Sequence, residues 1–239
     1  MEQQVQGGER VRVLVVAAHP DDPEFACGGT SARWAAEGRE IYYLLCTRGH
    51  KGSSDPDMTI ERLIRIREQE QRAAAEVIGA REVTFLDFVD GELAPTLELR
   101  EAIVREIRRV RPQIVMTHDP TVVYTATHIN HPDHRAVGTA TLDAIYPTAR
   151  DRLNFPDHER NGLLPHKVRE VYLWGSSSPT EWIDISSSID RKIAALRCHA
   201  SQVGNGEQLE ERVRQRAKQA GEPRGIPYAE TFFRIEMTR

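Results

Sequence analysis

The residues with the most chemical capacity fall in two short clusters far apart in the chain. Residues 19–22 read His-Pro-Asp-Asp, and the stretch HINHPDH places His128, His131, Asp133 and His134 within seven residues. Imidazoles and carboxylates bind divalent cations and carry protons. Two histidines and one carboxylate with a coordination position left open suit a zinc ion, and a second carboxylate beside them can take a proton from water. A spare imidazole can stabilise a developing oxyanion and later protonate a leaving amine. These parts fit hydrolysis of an amide or ester better than redox chemistry. His131 and His134 are three apart, so a helix starting there lets them converge on one site. Buried His and Asp are costly without partners or ligands, and two such clusters are hard to explain as packing.

The elements that must position them are legible from pattern. Val11–Ala18 is an apolar, β-branched run without helical period, which predicts a buried central strand. His19, Asp21 and Asp22 then sit at its carboxyl end, where open α/β sheets place their ligand sites. Pro23 suits the first position of a helix with Asp22 as its N-cap, and Gly28 and Gly29 allow that helix to pack closely. The helix is expected over 28–37, ending at Gly38. Strands follow at 40–47, 81–86 and 113–117, alternating with helices at 59–78, 97–110 and 135–145. That alternation predicts an α/β fold, a Rossmann-like parallel sheet flanked by helices on both faces, in a single domain. The domain runs over 11–239, after a flexible lead at 1–10. Beyond Pro147 the pattern loosens into a surface loop at 154–165, strands at 168–174 and 181–185, and helices at 188–199 and 207–221. An aromatic stretch at 228–237 closes the fold, and loops 48–58, 119–130 and 150–167 are expected to hold substrate selectivity. No strand leads into G-x-G-x-x-G or a P-loop, so a dinucleotide fingerprint is absent.

The 239 residues carry a net charge of −4 with both signs interspersed, which argues against nucleic acid as a partner. No apolar run approaches the length of a membrane span, and no signal-peptide pattern is seen, so the expectation is a cytoplasmic protein. Cys27, Cys46 and Cys198 form no C-x-x-C pair and read as reduced thiols, the first two in the core. A homo-oligomer is expected because closed homo-oligomers are common.

The stretches AAHPDDPEFACGGT and HPDHRAVG resemble the two motifs of the LmbE-like (PIG-L) zinc-dependent N-deacetylases. TRGHKG, RIREQEQRAAAEVIG, FLDFVDGEL, IVMTHDP, RCHASQ and YAETFFRIEM follow in the order of that family, so the likeness spans most of the chain. The resemblance implies that His19, Asp22 and His134 bind Zn2+ or another divalent ion, with Asp21 as general base. It implies that His131 stabilises the oxyanion, that Asp133 orients the His131 ring, and that Arg67 and Asp90 contact the sugar. It further implies removal of the N-acetyl group from an N-acetylglucosamine-type conjugate, an amino-sugar small molecule. Two other outcomes stay open: a zinc amidase for a larger amide such as a thiol conjugate, and a sugar-binding module without turnover. The sequence departs from the family at Pro23, where Glu is frequent, and at Ile129, where some relatives carry Tyr. Tyr124 stands in the same loop, while His128 is additional and His199 is left without an assigned role.

Overall fold

β1 (Arg12–Ala17) is the centre of the molecule because its side chains are apolar on both faces. Val13, Val15 and Ala17 enter one hydrophobic core and Leu14, Val16 and Ala18 the other. The computed structural model describes residues 10–204, 206 and 208–237, so the expected lead at 1–10 lies outside them except for Arg10. After β1 come α1 (Asp22–Ala36), β2 (Glu40–Thr47), α2 (Ile60–Ile78), β3 (Glu82–Phe88), α3 (Leu97–Val110) and β4 (Ile114–His118). Then follow α4 (Pro132–Asp143), α5 (Pro156–Arg160), β5 (Glu170–Trp174), β6 (Glu181–Asp184), α6 (Ile189–Arg197), α7 (Ala200–Val203), α8 (Leu209–Gly221) and β7 (Ala229–Glu236).

Among the described residues seven strands form one sheet, ordered β3-β2-β1-β4-β5-β7-β6. Five are parallel, while β7 inserts antiparallel between β5 and β6. Strand order reverses at β1, which has β2 on one side and β4 on the other. The loops after β1 and β4 therefore open side by side, at the switch point where such sheets bind ligands. Both His/Asp clusters leave from those loops.

α1 differs from its expected start. Its N-cap is Asp21, in the left-handed region at φ 80, and Asp22 is already helical. The Asp22 carboxylate turns back to accept the His19 amide at 2.8 Å, so it caps its own loop instead of the helix. The helix is also broken at Cys27, whose φ is −137. The break leaves backbone groups without partners, and a buried ion pair supplies them. Glu230 from β7 accepts the amides of Gly29 and Thr30 at 2.9 and 2.7 Å. Lys192 from α6 donates to the Phe25 carbonyl at 2.8 Å and to Glu230 at 2.5 Å. Gly29 is needed here, because a Cβ would lie 2.7 Å from Ile185 Cδ1.

The expected surface loop at 154–165 contains the short α5, and a buried arginine helps tie it and the turn before it to the body. Arg108 of α3 donates to the carbonyls of Thr148, Ala149, Asp151, Asn154 and Phe155. The polar helix α8 is less solvated than its composition suggests, since Leu209, Val213, Ala217 and Gly221 form a buried stripe.

Candidate metal and catalytic centre

His19 leaves the end of β1 with its ring surrounded by carboxylates. Nε2 donates to Asp133 at 3.0 Å and lies 3.1 Å from Asp90, and Nδ1 lies 3.4 Å from Asp22. Burial opposes a charge on this ring, but Asp133, Asp22 and Asp90 outweigh it and push His19 up to about 12. Asp22 in turn lies 3.2 Å from His134 Nε2 and 3.5 Å from His118 Nε2. Burial works against its charge too, yet His134, His118 and His19 hold its carboxyl well below the usual range.

α4 supplies the second cluster because it starts at Pro132, three residues earlier than its apolar pattern predicts. His131 is the N-cap, and its Nδ1 accepts the Asp133 amide at 3.2 Å. That bond leaves the proton of the neutral ring on Nε2. Burial and the nearby His19 hold the His131 pKa below its ordinary value, which favours the neutral form. The rings of His131 and His134 each come within 5.3 Å of another member, and His19 to His131 is 4.8 Å between centroids.

Among the described residues three sets of ligand atoms converge within 4.8 Å: His19/His131/His134, Asp22/His118/His134 and His19/Asp90/Asp133. Each contains part of the expected trio of His19, Asp22 and His134. Four carboxylates, Asp21, Asp22, Asp90 and Asp133, are gathered here around histidines and the single guanidinium of Arg67. Such a concentration of negative charge with convergent imidazole nitrogens is the donor set of a hard-to-borderline divalent cation, and zinc fits it.

Asp21 stands apart from these sets. Arg67 donates to its Oδ2 at 3.0 Å and to the carbonyls of Pro20 and Gly49 at 2.7 and 2.9 Å. Burial and the adjacent Asp22 push its carboxyl up to about 7 against the pull of Arg67. Gly49 is required by this brace: at φ 66, a Cβ there would lie 2.2 Å from the guanidinium. Beneath Asp21 runs a buried polar chain. Its amide donates to Gln71 Oε1 at 2.9 Å, Gln71 donates to Glu24 at 2.9 Å, and His199 meets Glu24 at 3.1 Å. Pro23 thus displaces the acidic position by one residue, and Glu24 becomes a fully buried anchor.

Other expected residues are placed as follows. Arg67 is buried and points at Asp21, not into open space. Asp90 accepts the Lys51 amide at 2.9 Å beside His19. The Asp133 carboxylate accepts from Gly91 and Leu93 amides and from His19, so it buttresses His19; its link to His131 is through its own N–H. Tyr124 is 74% exposed, bridged to Ile129 at the loop surface. His128 bonds to Thr125 in the same loop and lines a cavity of about 650 Å³ that opens off Asp22, His118 and His134.

His118 was not among the expected site residues. It ends β4 and is fully buried against Trp174, whose indole N–H donates to Nδ1 at 3.0 Å. Its ring stacks on His134 at 4.1 Å, and Nε2 faces Asp22, so it ties both to the sheet. Burial pushes its imidazole down to about 4. Its signal in the sequence was a polar residue ending a buried strand, the same signal that marks His19.

The GlcNAc-PI de-N-acetylase (PIG-L) family matches residues 14–145. That span begins inside β1 and ends just past α4, enclosing both clusters. A diacetylchitobiose deacetylase from Thermococcus kodakarensis is 35% identical over 191 residues, 80% of this chain and 70% of the relative. This chain belongs to the PIG-L family. Within it, the solved N,N'-diacetylchitobiose deacetylase from Pyrococcus horikoshii has a TM-score of 0.87 at 28% identity, covering 94% of this chain and 84% of that one. The fold is shared with a protein of different chemistry, GalB, the 4-carboxy-2-hydroxymuconate hydratase from Pseudomonas putida. Its TM-score is 0.78 at 25% identity, covering 96% and 98% of the two chains. Among the described residues no helix is long and apolar enough to cross a membrane.

Proposed function

We propose that this protein is a metal-dependent N-deacetylase of an amino-sugar conjugate of the N-acetylglucosamine type. The observation that carries it is a braced carboxylate, Asp21, beside convergent His and Asp atoms in a chain 35% identical to a diacetylchitobiose deacetylase. His19, Asp22 and His134 would hold the ion, with His118 and Trp174 orienting Asp22 and His134. A divalent ion bound there polarises the amide carbonyl and acidifies water. Asp21 takes a proton from the attacking water while Arg67 keeps its carboxylate aimed. His131 donates a hydrogen bond from Nε2 to the developing oxyanion, and the proton taken up by Asp21 passes to the leaving nitrogen. Water is added across the C–N bond, giving acetate and the free amine.

The likeness to GalB, a hydratase, favours one second reading, addition of water to an unsaturated carboxylic acid. The test is acetate release from N,N'-diacetylchitobiose and N-acetylglucosamine, with the chain treated with a chelator and then resupplied with zinc. Acetate and primary amine are expected in equal amounts, lost with the chelator and restored by zinc. Absence of acetate from both sugars, with hydration of 4-carboxy-2-hydroxymuconate, would transfer the site to the second reading.

A further inference from the structure

The cavity of about 650 Å³ is larger than an acetamido group and one sugar ring require, and its wall brings residues of the proposed centre together with groups of other chemistry. Asp22, His118 and His134 line it as polar groups. Phe25 of α1 and Val213 and Ala217 of α8 add apolar surface to its wall. Arg212 and Arg216 also line the space and are exposed. They lie four apart on α8, on the flank of its buried stripe.

Their neighbours on the same surface are neutralised. Arg214 pairs with Asp190 and Glu210, and Arg197 with Glu210. Arg212 donates only to the Gln208 carbonyl, at 3.3 Å, and neither Arg212 nor Arg216 meets a carboxylate among the described residues. Among the described residues the only other Lys or Arg on the cavity wall, Lys192, is already held by Glu230. Two uncommitted guanidinium groups thus share one cavity with the proposed hydrolytic centre. Guanidinium groups favour carboxylate and phosphate partners through forked hydrogen bonds.

We propose that the cavity selects an amino sugar whose attached group has an apolar part and an anion, with the anion bound by Arg212 and Arg216. The assignment rests on the proposed deacetylase function for the identity of the sugar. The shared chemistry is an oxyanion, and a carboxylate and a phosphate are both of that kind.

The test compares three glycosides of N-acetylglucosamine: phenyl, 4-carboxyphenyl and phenyl bearing a 4-phosphate. Their affinities are measured by calorimetry on the purified Asp21→Asn chain, and acetate release on the wild type is followed in parallel. The anionic glycosides are expected to bind about tenfold more tightly than the phenyl glycoside, as for two solvent-exposed ion pairs together. The stronger of the two anions names the physiological group. The double variant Arg212→Gln/Arg216→Gln in that background brings the ratio close to one, and Arg216→Glu turns it below one. Both positions are exposed, and an unchanged thermal midpoint shows that the variants fold. Equal affinity across the series, or a preference that survives the double variant, overturns the assignment. An intact preference without acetate release overturns the deacetylase reading and leaves the anion-binding cavity standing.

Discussion

Asp21→Asn is expected to lower amide turnover by about 10²- to 10⁴-fold, the usual contribution of a general base. The loss falls on kcat, with bound metal unchanged, because Asp21 lies outside the convergent ligand sets. The geometry makes this a clean substitution. Asparagine tolerates the left-handed backbone at φ 80 better than other residues, and its amide oxygen still accepts from Arg67. What disappears is the capacity to accept a proton. Paired measurement of steady-state kinetics and metal content checks it: loss of metal would place Asp21 among the ligands, and unchanged kcat would remove it from proton transfer.

The second large effect concerns stability. Glu230→Ala is expected to destabilise the fold by about 3–5 kcal/mol, as for removal of one partner from a buried ion pair. The Lys192 ammonium would remain buried without its counter-charge, and the Gly29 and Thr30 amides would lose their acceptor at the break in α1. Because β7, α6 and α1 meet at this carboxylate, the cost reaches the loop that carries His19 and Asp22. Denaturant unfolding of the two proteins provides the comparison. A difference under about 1 kcal/mol would mean that water or another group replaces Glu230, and the account of the broken helix would fail.

These features mark where sequence reading worked and where it stopped. β2 and α3 occupy the residues their patterns predict, because each buries an uninterrupted apolar run or one regular stripe. Both His/Asp clusters were legible for a related reason: a buried strand that ends in polar chemistry points to the sheet's ligand edge. The capping role of Asp22 was not legible, since Asp-Pro is an ordinary helix start. Only the fold reveals that Asp22 is pulled back to the His19 amide and toward three imidazoles. His118 was hidden because a lone histidine at a strand end carries no spacing signal. Its ring is held by Trp174, a residue 56 positions away on the neighbouring strand. Glu24 and Gln71 escaped for the same reason, being joined across 47 positions. Asp133 was expected to orient His131. The helix start places its N–H, not its carboxylate, against that ring and frees the carboxylate for His19. The antiparallel insertion of β7 between β5 and β6 is a matter of strand order, which local pattern does not encode.

The measurement that bears most directly on the central claim is zinc binding by calorimetry on metal-stripped protein, with His19→Ala and His134→Ala beside the wild type. These two histidines come from opposite sides of the switch point, and their rings lie 5.3 Å apart. One ion per chain is expected for the wild type, with affinity reduced by several orders of magnitude in each variant. Wild-type affinity in both variants would show that the two clusters do not share an ion.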